Sequence, residues 1–258
     1  PPATRPQGPI NPGWRSSPTP PSTSGTPPAK AYTTGMDPKG PIPVSLFFPC
    51  LADAFAPGVC SATVAVLERF GATVRVPLSQ TCCGQPAFNS GYWNEARDVA
   101  GPVLDRLQKS EAVVVASGSC GAMLKVFYPQ IFEKTSRLEA ARGLSGRIWE
   151  FSDFLVSKLG VTDLGARFPA RVTFHDGCHG LRELGIKRSP RALLEKVRGL
   201  ELVEMPDAET GCGFGGTFSA KFPMISTAMG EVKCSNAAET GADYIVSNDS
   251  SCLMHVQG

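Results

Sequence analysis

The sequence predicts an α/β protein built as two similar halves, each a parallel sheet with helices on its faces. Three observations carry that expectation. From residue 44 onward, short apolar runs rich in β-branched residues alternate with amphipathic helical stretches, the pattern of parallel α/β construction. The same order of elements then occurs a second time. Cysteines stand at corresponding places in both rounds, Cys50, Cys82, Cys83 and Cys120 in the first and Cys178, Cys212 and Cys252 in the second, at offsets of 128, 129 and 132 residues.

Residues 1–42 hold Pro and Gly at more than a third of positions, as in PTPPSTSGTPP. Such a segment buries too little apolar surface to offset its ordering entropy and is expected to be a disordered tail. The first repeat is assigned to 43–160. Within it 44–48 reads as a strand ending at Cys50, 58–70 as a helix, 73–76 as a strand leading to the Cys82–Cys83–Gly84 turn, 91–108 as a helix and 112–116 as a strand ending near Cys120. The stretch around 120–159 is expected to be helical. The second repeat, 161–258, reads as a strand at 171–174 before Cys178, a helix within 181–198, a strand at 200–204, the Cys212 loop, helix through 217–240 and a strand at 244–247 before Cys252. In an open parallel sheet the loops after the strand C-termini share one edge, where ligands bind. Each half can therefore close its own site.

Composition narrows the function classes. The chain of 258 residues is 42% hydrophobic and 19% charged, with a formal net charge of +2, which suggests no nucleic-acid or other polyanionic partner. No apolar run is long enough for a membrane span and the N-terminus lacks the apolar centre of a signal peptide, so a cytoplasmic protein is expected. Nine cysteines in such a chain point to metal or redox chemistry more than to a secreted disulfide framework.

Spacing separates the metal options. The intervals run 32 and 37 residues from Cys50 to Cys82 and from Cys83 to Cys120, then 34 and 40 from Cys178 to Cys212 and to Cys252. Four thiolates are the usual complement of a 4Fe-4S cluster. The close C-x2-C knuckles of structural zinc are missing, although soft thiolates leave zinc as the alternative. For Cys82 and Cys83 to face one cofactor the chain must turn sharply, and Gly84 supplies the freedom. The second half offers Cys178, Cys212 and Cys252, with His255 spaced C-x2-H from Cys252 as a candidate fourth ligand, although a solvated C-terminal histidine is its first reading. His175 and His179 bracket Cys178 and read first as hydrogen-bonded structural groups, with ligation the less expected role. Cys60 and Cys234 fall on helices outside the layout and are given no site role. The GFGG run at 213–216 is neither a Walker A nor a dinucleotide fingerprint and reads as a tight turn bringing N–H groups to sulfur.

CCGQPAFNSGY at 82–92, CGFGGTFSAKF at 212–222 and SCLM at 251–254 resemble the lactate-utilization branch of the cysteine-rich CCG domain family, whose relatives include the glycolate oxidase iron-sulfur subunit and the heterodisulfide reductases. The likeness covers about residues 44–258. It implies an oxidoreductase subunit that passes electrons during L-lactate oxidation to pyruvate, with two partner proteins, one of them a ferredoxin-like iron-sulfur protein. The alternatives are thiol/disulfide redox chemistry, as the heterodisulfide reductase relatives imply, and a zinc-stabilised scaffold. The chain departs from the family pattern at Met123 and His255, where a repeat ordinarily closes with C-x2-C, and at Gly211, where the second repeat ordinarily has the first cysteine of a pair. The expectation is one 4Fe-4S cluster in the first half and an open question in the second.

Overall fold

The computed structural model describes residues 40–258. The Pro-rich tail expected at 1–42 thus lies, up to residue 39, outside the described residues. The first half carries a four-stranded parallel sheet of β1 (Ile42–Phe47), β2 (Ala72–Arg75), β3 (Val113–Val115) and β4 (Ile148–Glu150), in the order β2-β1-β3-β4. The second carries a three-stranded parallel sheet of β5 (Arg167–His175), β6 (Arg198–Leu202) and β7 (Tyr244–Ser247), in the order β6-β5-β7. In both halves the first strand of the repeat is central and the second and third flank it, so the duplication read in the sequence is a duplication of topology.

The sequence explains this layering. β3 is three valines, all buried, the continuous apolar run expected of a strand covered on both faces. One core cluster joins Val113 and Val115 to Leu104, Leu107, Met123 and Tyr128 on one side of the sheet. The other joins Val44, Leu46 and Val114 to Leu67, Phe154 and Leu155 on the opposite side. Helix Pro57–Arg69 begins with Pro at its first position, where the missing N–H costs nothing, and helix Trp93–Leu107 presents Ala96, Ala100, Val103, Leu104 and Leu107 inward.

One expectation fails within 120–159. The helix 118–131, which includes a π-helical turn at Met123–Phe127, is followed by helix Leu138–Ser145 and then by β4, which pairs in register with β3 through Ile148 and Val113. A three-residue strand between helices has no periodicity of its own, so its partner, rather than its sequence, defines it. Lesser differences of a few residues occur at most element ends, as expected where helices fray.

The halves meet through two pseudo-equivalent helix contacts. Helix Gly118–Ala122, which follows β3, packs on helix Cys178–Arg182, which follows β5, and helix Cys50–Phe55 packs likewise on Ser250–Gln257. Gly118 and Gly180 make the first contact possible: a Cβ on Gly118 would stand 2.8 Å from the Gly180 Cα. Among the described residues no helix is long and apolar enough to cross a membrane.

Candidate metal centres

Every cysteine of both rounds lies in the loop after a strand or in the first turn of the helix that follows it. Cys50 opens the helix after β1. Cys120 lies in the first turn of the helix after β3, whose capping Ser117 hydroxyl accepts from the Cys120 N–H at 3.4 Å. Cys82 and Cys83 follow β2 in a loop clamped to the end of β1 by Gln80, whose side-chain oxygen accepts from Phe48 N–H at 2.9 Å and whose amide donates to the Leu46 carbonyl at 2.8 Å. Because β1 lies between β2 and β3, these three strand ends are adjacent. The Cys83 and Cys120 sulfurs are 3.5 Å apart, and Cys50 and Cys82 are near enough for charge on one sulfur to act on the others. Four thiols from three elements gather at this edge of the sheet.

Their acidities reflect that crowding. The neighbouring Cys50 and Cys83 sulfurs hold Cys82 down at about 2, helped by the N–H groups of Gly84 and Cys83. Cys50 and Cys83 are pushed up by the sulfurs beside them, and at Cys83 burial adds to the effect. A cation that replaced thiol protons here would hold these sulfurs as thiolates. Tyr128, fully buried, donates its hydroxyl to the Cys83 carbonyl at 3.1 Å and fixes the turn from behind.

The two cysteine turns share a backbone device. Gly84 and Gly213, each directly after the last cysteine of its turn, have φ of +90° and +94°. Each is also approached by a carbonyl of the next long helix: a Cβ would stand 3.0 Å from Ala96 O at Gly84 and 2.4 Å from Ser226 O at Gly213. Only glycine fits both the left-handed backbone and the close approach. The Phe214 N–H that this turn presents helps stabilise the Cys212 thiolate, the role expected of the GFGG run.

In the second half Cys178 opens the helix after β5, Cys212 lies in the loop after β6 and Cys252 in the helix after β7. The ligand atoms of Cys212, Cys252 and His175 lie within 4.8 Å of one another, all three residues buried. Cys178 is near enough that its charge acts on Cys252, and that of Cys212 on it. Donation from the Cys252 thiol holds Cys212 down at about 4. The loop carrying Cys212 is anchored by Lys233, wholly buried, whose ammonium donates to the Asp207 carbonyl at 2.7 Å.

The structure thus brings together every cysteine that the sequence assigned to a site, in two groups. It does not bring His255 to either. The His255 Nε2 lies 3.2 Å from the Ser226 hydroxyl, on the far side of the Gly213 turn, because its helix directs it to that turn rather than to Cys252. The histidine beside the sulfurs is His175, and neither of its buried ring nitrogens has a hydrogen-bond partner among the described residues, contrary to the structural role first expected for it. His179 packs edge-on against Phe127 across the seam. Asp176 is bound on both oxygens by Arg191 at 2.8 Å, a clamp that also reaches Glu204 and steadies the end of β5. Asp249, which no motif marked, accepts from the Ser119 N–H at 2.9 Å and so ties the residue before Cys120 to the turn before Cys252. Cys60 and Cys234 lie outside both groups, the latter facing the Val256 carbonyl at 3.8 Å.

A sequence model described as "Cysteine-rich domain", the CCG family, matches residues 44–125 and 172–257, one copy over each half. The chain belongs to the cysteine-rich CCG domain family. This CCG chain is similar to lactate utilization protein A of Oceanobacillus iheyensis, 47% identical over 83% of the chain and 88% of that protein. It is 47% identical to lactate utilization protein A of Geobacillus kaustophilus over 83% of the chain and 90% of that protein. Lactate utilization protein A 1 of Bacillus cereus is 41% identical over the same shares.

Proposed function

We propose that this chain is an iron-sulfur electron-transfer subunit of a cytoplasmic system that oxidises L-lactate to pyruvate, with a 4Fe-4S cluster on Cys50, Cys82, Cys83 and Cys120. One observation carries the metal part of this reading: the Cys83 and Cys120 sulfurs lie 3.5 Å apart, with Cys50 and Cys82 close enough for their charges to act on them. The donor set suits a cluster, since thiolate is the softest ligand a protein offers and four are present. The lactate part rests on the names of the similar proteins. Such a cluster would supply one-electron redox chemistry. The chain's part is to hold the sulfurs, direct N–H groups to them and bury Cys83 and Cys120 while Cys50 stays exposed as the point nearest a redox partner.

Beside Cys50 and Cys82 lies a cavity of about 330 Å³, lined also by Phe48, Asp53, Leu78 and Gln80. Among the described residues no basic side chain lines it, so a 2-hydroxy acid would find no counter-ion there. Lactate chemistry is accordingly assigned to the partner proteins, two in number, one ferredoxin-like. The same cavity supports a second reading, reduction of a small disulfide beside exposed ligand sulfur.

Protein purified without air is expected to absorb broadly near ~400 nm and to hold about four irons at the first centre. Cys83→Ser should lose that iron and Cys60→Ser should keep it; equal iron in the two variants would overturn the ligand assignment. Colourless protein with stoichiometric zinc would leave only the scaffold reading. Lactate-dependent bleaching in the presence of the partner proteins separates lactate oxidation from disulfide reduction.

A further inference from the structure

The two halves differ at two positions that bear on the same question. Aligned on Cys50 and Cys178, Phe47 of the first half corresponds to His175 of the second. Aligned on Cys83 and Cys212, the thiol of Cys82 corresponds to Gly211, which has no side chain. One copy thus has a sulfur that the other lacks, and the other has a nitrogen base where the first has a hydrocarbon ring. Phe47 belongs to the apolar core cluster that includes Cys83 and Cys120, which shows what the position does when it only has to pack.

His175 stands at the same strand end, 1% exposed, with both ring nitrogens unpartnered among the described residues and its ligand atom within 4.8 Å of the Cys212 and Cys252 sulfurs. A buried imidazole without hydrogen bonds is a net cost to folding that a phenyl ring would avoid. A bound group that takes the nitrogen lone pair removes that cost. Cys178, three residues farther along at the start of its helix, lies near enough for its charge to act on Cys252.

We propose that His175 is the nitrogen ligand of a metal centre in the second half, completed by Cys178, Cys212 and Cys252. Each half then offers four donors, all sulfur in the first and three sulfurs with one imidazole in the second. The inference extends the metal reading to the second half and depends neither on lactate nor on the identity of the first cluster. With a neutral imidazole in place of a thiolate, the second set carries one negative charge fewer. On iron such a set raises the reduction potential above that of an all-thiolate cluster, so the second half would be the more oxidising end of the chain.

The test uses the full chain with Cys83→Ser, which empties the first centre and leaves metal only in the second. Iron, sulfide and zinc are counted, and X-ray absorption at the edge of whichever metal is present counts nitrogen and sulfur neighbours. The expected result is bound metal with nitrogen in its first shell. Adding His175→Phe, the side chain of the first copy, should remove that metal, and adding His175→Cys should retain it with an all-sulfur shell. Either iron or zinc in that shell supports the inference. A Cys83→Ser chain without metal, or a His175→Phe variant that keeps both metal and nitrogen neighbour, would overturn it. Circular dichroism of the metal-free chains checks folding, and if the phenylalanine variant fails to fold, the shell of the cysteine variant decides.

Discussion

Replacing Asp249 with alanine is expected to loosen the seam between the halves, and the loss can be worked from its contacts. The carboxylate is 4% exposed and accepts two hydrogen bonds, from Ser119 N–H across the seam at 2.9 Å and from the Ser251 hydroxyl at 2.7 Å. Hydrogen bonds to an ionised group contribute about 1.5–3 kcal/mol each. Part of that loss is offset, because removing a buried carboxylate also removes its desolvation cost and the half-buried Ser251 hydroxyl can turn to water. The net loss is expected at about 2–4 kcal/mol. Guanidinium unfolding of the reduced, metal-free chain measures it. Ser251→Ala, which removes only the local bond, should cost about 1 kcal/mol and serves as the internal reference. Should Asp249→Ala lose no more stability than Ser251→Ala, the cross-seam bond contributes nothing and the coupling of the two centres through this residue is wrong.

Gly118→Ala places a methyl 2.8 Å from the Gly180 Cα, a contact between backbones that neither side can relieve by rotating, and should cost about 1–3 kcal/mol in a thermal melt. Gly58→Ala, in a helix with no atom within 4 Å of the new Cβ, should stabilise by about 0.5–1 kcal/mol in the same assay. Arg191→Leu would leave Asp176, 1% exposed, without its bidentate partner and should destabilise by about 3–5 kcal/mol; Asp176→Asn in the same background should recover part of this if the stranded charge is the cause. Glu150 is held protonated by burial, its pKa raised from the ordinary 4.5 to about 7. The unfolded chain releases that proton from pH 4.5 upward, so this contribution is full below about 4.5, declines as pH rises to about 7 and is gone above it, amounting to roughly 3 kcal/mol. Glu150→Gln should remove that slope from the denaturant midpoint measured across the window, and an unchanged slope would place the proton elsewhere.

Much of the site was legible because its parts are local. Cysteines that follow a strand, or sit in a glycine turn after one, recur in both halves of the sequence, so Cys50, Cys82, Cys83, Cys120, Cys178, Cys212 and Cys252 could be assigned from the order of elements. Gly84 was legible for the same reason: a single residue's φ explains it, and Gly213 proves to be its counterpart. β4 was not, since a three-residue strand is defined by its pairing to β3. The histidines depend on neighbours that spacing does not show. Sequence distance put His255 next to Cys252, but a helix sends a side chain three residues on toward whatever packs there, in this case Ser226. His175 looked ordinary until its surroundings were known, because an unpartnered nitrogen is a property of neighbours.

The sequence by itself determined the duplicated α/β plan and the sulfur donors, for both are written in patterns that repeat along the chain. Only the tertiary structure decided which nitrogen stands beside the second set of sulfurs, that Lys233 lies buried under its loop, and that Asp249 and the Gly118–Gly180 contact join the two centres. These are meetings of residues far apart in sequence, and their energies depend on burial and direction, which no spacing records.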